Sequence, residues 1–389
     1  MEEVLEANEV VSANDHVRGT TQRRIMHYLS DRQQRVYPDL KGMCERVSDG
    51  YRDRVVIELL QNAHDAHEAN STDGRIKIIL DPKDGPFGSL TVANDGIGFA
   101  PKNLEALCSP TLTTKNVNEA IGNKGVGFLS VFQVSAFPEI YSRLPGSSGR
   151  GFDGYCFRFA DDASITDFLH EEGLGGGADD VIANMPRLYL AWPAEEHPST
   201  VERLASEGFA TAVRLPLKNA DSLSAVKQQV AQLAQGNPPV QLFLSRIAEL
   251  TVETPGIPGK PLVLTRRCKV LQQHEGFRLL RIRCSETSFI TAERTIPHAA
   301  ALAVIEVDVE GERLPESWRS WEGDAIISLA VAADSEPVDG RLYNFLPMGA
   351  DAEAPFDGYL DAPFFASIDR LKLQSGVDLN EFFLTARGA

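Results

Sequence analysis

Apolar positions recur at helical spacing through much of the first 70 residues. Thr20 to Leu40 is polar with apolar residues three and four apart, and Val55 to Ala69 repeats the pattern more strongly, so residues 21–70 read as helical. Arg75–Leu80 (RIKIIL) alternates as a strand does, and Asp81–Gly88, with Pro82, Gly85, Pro86 and Gly88, reads as a turn. Leu90–Ala93 is a second short strand running into Asn94-Asp95-Gly96. Polar, helical or irregular sequence extends to Gly122, and an apolar helix is expected over Val126–Val134. Pro145–Gly154 and Gly173–Asp180 read as glycine-rich loops, and Phe209–Leu217 (FATAVRLPL) as another strand.

The composition changes near Lys218–Pro239. Ser222–Gln235 is an amphipathic helix stopped by Gly236-Asn237-Pro238-Pro239. Beyond it, Val240–Phe243, Glu249–Glu253, Pro261–Leu264, Arg278–Cys284, Ala303–Val309 and Ile326–Val331 read as strands. Two domains are therefore expected, 1–220 and 221–389. A helix-like stretch, Leu379–Leu384, stands just before the last residue, the ending expected of the front part of a longer protein.

Charge narrows the partners. Across 389 residues, 38 Lys and Arg face 55 Asp and Glu, a net charge of −17. Such a body repels phosphate backbones and anionic lipid unless basic residues are concentrated somewhere, so nucleic acid is not expected as a non-specific ligand. Arg266-Arg267-Cys268-Lys269 is a tight basic run, read as a solvated strand edge. The five cysteines are scattered and form no C-x-x-C pair, against both a disulfide framework and a structural zinc site. Met1–Thr20 is acidic with no apolar core, unlike a signal peptide, and Ala299–Ile305 and Ala325–Ala333 are far shorter than the roughly 18 apolar residues of a membrane span. A cytoplasmic, reducing location without a membrane partner is expected.

Three segments carry candidate chemistry. In Glu58-Leu-Leu-Gln-Asn62-Ala-His-Asp65-Ala66, Glu58 and Asn62 share a helix face and Asp65 follows one turn on. An amide oxygen at Asn62 suits Mg²⁺ that also takes phosphate oxygens, and Glu58 can draw a proton from an attacking water. A plain solvated helix face fits the same residues. In Asn94-Asp95-Gly96-Ile97-Gly98-Phe99, the acceptor-only Asp95 fits the exocyclic amine of adenine, and Gly96 and Gly98 let a flat ligand approach closely. A simple turn fits as well. Gly122-Asn-Lys124-Gly125-Val126-Gly127-Phe128 precedes an apolar helix, where free N–H groups cradle phosphates and Lys124 adds charge, or where a linker merely caps the helix. The pair His64 and His67 lacks a third metal ligand and reads as exposed helix surface. Trp192, Trp318 and Trp321 read as packing residues.

Together, as E-x-x-x-N-x-x-D-A, N-D-G-x-G and G-x-x-G-x-G-F, these segments resemble the N, G1 and G2 boxes of the GHKL ATPases, which include gyrase, the ninety-kilodalton heat-shock chaperones, histidine kinases and MutL. The likeness is strongest to the sacsin and NO VEIN type: Glu58–Ala66 (ELLQNAHDA), Thr114-Lys115 and Ile121–Phe132 (IGNKGVGFLSVF) match its hallmarks, with Leu129 where that branch often carries Lys. The resemblance implies a two-layer Bergerat α/β sandwich, a mixed sheet with helices on one face, followed by an α+β middle-type domain. It implies Glu58 as general base, Asn62 as Mg²⁺ ligand and Asp95 as adenine reader. Gly96 and Gly98 would line the base, Gly122, Lys124, Gly125, Val126, Gly127 and Phe128 would bind phosphates, and Lys115 would join them. Asp65 would act through a water near the sugar or adenine, and Thr211 would support Asp95 through a shared water.

The likeness extends thinly into the second domain. Val240–Leu250 (VQLFLSRIAEL) resembles the strand opening the post-ATPase domain. Leu342–Pro347 and Phe356–Arg370 resemble a segment ending in a basic residue that reaches the ATP site, which assigns that role to Arg370. The activity implied is slow Mg²⁺-dependent ATP hydrolysis driving a conformational switch, chaperone-like or within a defence system, with an ATP-dependent homodimer and a protein client as partners. Histidine-kinase-type phosphotransfer and a non-hydrolysing ATP-binding scaffold are the alternatives.

Overall fold

The structure, a computed structural model, describes residues 12–31, 35–50, 54–108, 127–147, 149–255, 260–333, 338–367 and 370–385. Three helices come first: α1 (Ala13–Ser30), α2 (Val36–Gly50) and α3 (Val55–Asp65). Helix α1 begins where the Ser12 hydroxyl accepts the Asp15 N–H, a side-chain cap for a donor with no partner inside the helix. The rest of the first half comprises β1 (Gly74–Asp81), β2 (Ser89–Asn94), α4 (Pro101–Leu107), α5 (Val131–Val134), β3 (Glu139–Ser142), β4 (Phe157–Phe159), α6 (Asp162–Glu171), α7 (Ala178–Asn184), β5 (Ala191–Pro193), α8 (Ser199–Ser206) and β6 (Thr211–Pro216). The second half follows with α9 (Ala220–Gln235), β7 (Ile247–Glu253), β8 (Leu262–His274), β9 (Phe277–Cys284), β10 (Thr287–Ile296), α10 (His298–Glu310), β11 (Ala325–Ala332), β12 (Arg341–Asn344), β13 (Leu346–Pro347), β14 (Tyr359–Asp361) and α11 (Asp378–Thr385).

Among the described residues the strands form one 14-stranded sheet in the order β13-β12-β14-β11-β10-β9-β8-β7-β1-β2-β6-β3-β4-β5. It is mixed, as expected: β1 runs antiparallel to β2 but parallel to β7. Helix α3 buries Val55, Val56, Leu59, Leu60 and Ala63 against Ile76, Ile78 and Leu80 of β1 and Leu90 and Val92 of β2, and α5 and α9 join the same core. The short α8 covers part of the opposite face through Val201, Leu204 and Ala205. Helix α9 begins at residue 220 and strand β7 follows it, yet α9 packs in the first core through Val226, Val230 and Leu233, and β7 extends the first sheet. In the second half α10 and α11 pack on β11, β12 and β14, with Trp318 and Trp321 buried between.

Several expected elements differ. Val240–Phe243 is a series of buried turns, and the strand begins only at Ile247; Pro239 starts the turn by accepting the Leu242 N–H. Ala303–Val309 is helical, not extended. Its apparent alternation lies inside a longer apolar run whose buried residues, Ala301, Ile305, Asp308 and Val309, have helical spacing. The strand expected at Pro261–Leu264 runs on to His274 because β9 pairs with it from Arg266 to His274. Val126–Val134 resolves into a 3-10 turn, Gly127–Ser130, followed by α5, and Gly173–Asp180 contains a 3-10 turn and the start of α7. Cys44, Cys108, Cys156 and Cys284 are free and buried, and Cys268 is free and exposed.

Candidate nucleotide site

Helix α3 supplies the site's long wall. Glu58 is 2% exposed, with its Oε1 3.9 Å from Arg54 Nε and 3.8 Å from Arg370 Nε. Both distances are in ion-pair range but too long for a hydrogen bond, and Oε1 receives no hydrogen bond among the described residues. A Cβ on Gly127 would fall on Glu58 Oε2, so the first turn after the glycine-rich segment lies directly against the carboxylate. Arg370, 4% exposed, donates from Nη1 to Gln61 Oε1 at 2.8 Å. The structure thus brings Glu58, Gly127 and Arg370 together, across 312 positions of sequence for the outermost pair. Gln61 and Arg54 were not singled out from sequence; Arg54 stands four residues before Glu58, the spacing of a helical ion pair, whereas nothing local marks Gln61.

The opposite end of α3 meets β2. Asp95 Oδ1 accepts the Arg75 backbone N–H at 2.6 Å and lies 3.0 Å from His67 Nε2, while Oδ2 accepts Arg75 Nε at 2.8 Å. Burial pushes this carboxyl up, but the hydrogen bonds from His67 and Arg75 outweigh it and hold it below the ordinary carboxylate range. His67 also places Nδ1 2.9 Å from the Ala63 carbonyl. The expectation of exposed histidines is therefore corrected: His64 and His67 are 2% and 6% exposed. Burial pushes the His64 imidazole below its usual value against the pull of Asp65, whose Oδ1 is 3.3 Å away. Among the described residues no group of three His, Cys, Asp or Glu could hold a metal.

Gly96 and Gly98 owe their identity to protein neighbours. A Cβ at 96 would strike the Ala66 carbonyl and one at 98 the Arg143 carbonyl, and the Ile97 N–H donates to Ala66 O at 2.7 Å. Close approach is thus to backbone at the α3 terminus and after β3. Thr211 stands opposite Asn94 in register, one residue from Asp95, and its buried hydroxyl lies 2.9 Å from Ser142 Oγ. Asn62 is half-buried one turn after Glu58, and Phe128 packs against the cores on both sides of the 3-10 turn. Lys115, Gly122, Lys124, Gly125 and Val126 lie outside the described residues. Eight residues of helix separate Glu58 from Ala66, about 12 Å at 1.5 Å per residue, so the Glu58 and Asp95 ends are separated by a distance a nucleoside triphosphate can span. A separate cavity of about 590 Å³, lined by Lys41, Ser48, Phe132, Met185 and Lys218 among others, contains none of these residues.

Residues 52–157 match the family model described as histidine kinase-, DNA gyrase B-, and HSP90-like ATPase. The chain is 27% identical over 255 residues to Protein NO VEIN of Arabidopsis thaliana, a match covering 61% of this chain and 8% of that protein. It thus spans a small part of that relative's length. The N-terminal domain of a DNA repair protein aligns over 88% of this chain and 96% of that one, at 11% identity and a TM-score of 0.40. The B-subunit of the DNA gyrase from Myxococcus xanthus aligns over 85% and 89%, at 10% identity and a TM-score of 0.32.

Proposed function

Because residues 52–157 carry a GHKL-type ATPase domain related to NO VEIN, we propose that this chain hydrolyses ATP slowly, with Mg²⁺, and uses turnover to switch the arrangement of its two halves. The observation that carries this reading is the Glu58 carboxylate, buried between Arg54 and Arg370 with an acceptor oxygen that no described donor occupies. A group that only held a nucleotide would not need that oxygen open; a general base must keep it for the proton of the attacking water.

The remaining roles follow the residues' chemistry. Asp95 would receive the adenine amine, since Oδ2 accepts one bond from Arg75 and has room for another. Thr211 and Asp65 would steady that end through water, while Gly96 keeps the β2 turn close to the end of α3 and Gly98 keeps it close to the backbone after β3. Asn62 would hold Mg²⁺ by its amide oxygen. A single hard protein ligand suits a cation that keeps waters and takes phosphate oxygens, and the metal would supply charge neutralisation on the phosphates. Lys115, Lys124 and the Gly122–Phe128 segment would contact the phosphates. Arg370 would bring a guanidinium from the second half to the transferred phosphoryl group. An ATP-dependent homodimer, a protein client, and a chaperone-like or defence role in the cytoplasm belong to the same proposal.

Phosphate release and ATP affinity, measured on the wild type and Glu58→Gln, test this reading. The amide keeps the shape but removes the base, so affinity should hold while turnover falls about 10²–10⁴-fold. Wild-type turnover in Glu58→Gln would overturn the assignment. Phosphotransfer would instead leave phosphohistidine on the chain; the two α1 histidines are engaged by tyrosines, His16 with Tyr155 at 2.9 Å and His27 with Tyr37 at 3.0 Å. A scaffold would bind ATP without releasing phosphate.

A further inference from the structure

In β8 and β9, four cations stand in a two-by-two array. Arg267 is directly opposite Arg283, and Lys269 directly opposite Arg281. Opposed residues of an antiparallel pair share a face, with Cβ atoms about 5 Å apart, and alternate residues along a strand are about 7 Å apart. All four side chains are exposed. Among the described residues no carboxylate pairs with Arg267, Lys269 or Arg281, and Arg283 meets the Glu286 carboxylate, itself 95% exposed, at 3.3 Å while its Nε donates to the Ser285 carbonyl at 3.0 Å. Like charges directly opposite destabilise a sheet. Two such pairs side by side, in a chain of net charge −17, leave an uncompensated repulsion that an external anion would relieve.

The array lies on the outer face of its strands. The other face, with Leu280, Ile282 and Cys284, is packed under Leu242, Phe243, Tyr343 and Tyr359. After a bulge beyond Val270, the outer face continues through Gln272 opposite Leu279 and His274 opposite Phe277, the last 37% exposed. Strand β7 stops pairing with β8 at Thr265, so the Arg267–His274 edge carries no neighbouring strand among the described residues.

We infer that this face binds single-stranded nucleic acid, its phosphates on Arg267, Lys269, Arg281 and Arg283 and a base against Phe277. Three of the four cations are arginines, whose planar forks match phosphate oxygens in pairs. An exposed aromatic beyond the cations gives an unstacked base a surface. An acidic peptide strand added to the free β8 edge would lie beside Arg267 and Lys269, with Arg281 and Arg283 one strand further in. The depth of the array therefore favours a ligand lying on the face. The acidic remainder of the chain confines the strand to this patch.

The test is fluorescence anisotropy of a labelled 20-nucleotide oligo-dT with the whole chain, across a salt series. Four contacts predict a slope of log affinity against log salt of about −3, an affinity loss of about 50-fold between 50 and 200 mM. Lys269→Gln with Arg281→Gln should halve the slope and weaken binding at 50 mM at least about tenfold, while the thermal midpoint stays level or rises as repulsion is relieved. Phe277→Ala should weaken binding several-fold with the slope unchanged. No salt-dependent binding by the wild type, or equal binding by the double variant, would overturn the proposal. So would tighter binding of the corresponding duplex, or displacement of the oligonucleotide by polyglutamate at equal charge concentration.

Discussion

Replacing Arg370 with alanine separates two uses of one side chain. The guanidinium is 4% exposed, bonded to Gln61 at 2.8 Å and 3.8 Å from Glu58. A hydrogen bond to a charged group contributes about 1.5–3 kcal/mol, and Gln61 Oε1 would lose this donor while Glu58 kept Arg54. The folded state should therefore lose about 2–4 kcal/mol. If Arg370 also neutralises charge on the transferred phosphoryl, turnover should fall about 10³-fold, roughly 4 kcal/mol of barrier, with ATP affinity held within about threefold. Thermal unfolding, calorimetric ATP titration and phosphate release at saturating ATP measure these three quantities independently. Arg370→Lys, which keeps the charge but not the fork, should recover part of the turnover, and the exposed Lys372→Ala should change nothing. A lowered melting temperature with wild-type turnover would refute the catalytic role and leave Arg370 as a structural tie. An equal loss in affinity and in turnover per free enzyme would assign it to ground-state binding.

Gly127→Ala should push the Glu58 carboxylate out of place, because the new Cβ falls on Oε2, and lower turnover more than affinity; phosphate release close to wild type would show that the carboxylate is free to move. Asp95→Asn weakens the proposed acceptor for the adenine amine and the anchor for Arg75 and His67, so calorimetry should show ATP affinity down about 10–100-fold; unchanged affinity would refute Asp95 as the adenine reader. Asp361 in β14 is buried, and burial pushes its carboxyl up to about 7, against a backbone hydrogen bond from Phe345. The folded state therefore keeps a proton that the unfolded chain releases near 3.8, so this stabilisation is full below the unfolded value and lost as pH rises through about 7. Asp361→Asn keeps the acceptor without the charge: it should match wild type near pH 4 and exceed it above pH 7 by up to about 4 kcal/mol in chemical unfolding, and a difference constant with pH would refute the reasoning.

The N-terminal elements were legible because each carried its own period. RIKIIL alternates and lies in a sheet, and the α3 residues repeat at helical spacing and are buried on that face. Ala303–Val309 misled because an apolar run satisfies both periods, and only its longer context, with Pro297 in front, resolves it as a helix. Strands β3, β4 and β5 are three or four residues long and left too little pattern to read. Within the site, Glu58 and Asp95 were visible as isolated polar groups on apolar elements. Arg370, beside Glu58, entered through the family resemblance, but two further contacts were not legible: Gln61 meets Arg370 across 309 positions and His67 meets Asp95 across 28, contacts that only tertiary packing creates.

Helix α3 is gripped from beyond residue 220 at both ends, and this links the proposed chemistry to the proposed switch. At its Glu58 end stands Arg370. Past its other end, Arg246 Nη1 donates to the His67 carbonyl at 3.0 Å, and the Arg246 carbonyl accepts the Gly74 N–H at the start of β1. Leu346, also from the second half, is buried in the core that α3 shares with β1 and β2. His67 in turn meets Asp95, so on the proposed function a shift of the second half would act on the proposed adenine end through Arg246 and His67 and on the proposed phosphate end through Arg370. One contact lies on the helix and the other on the turn that follows its C-cap, so moving the second half as a body acts on both. In the proposed switch, binding energy gained along α3 would be available to reposition the second half, and release of either contact would return it. Because either break alone would release the second half, Arg246→Ala combined with Arg370→Ala should lose less ATP turnover, measured by phosphate release, than the sum of the two single changes in free-energy terms, and a strictly additive pair would mean that the two ends act separately.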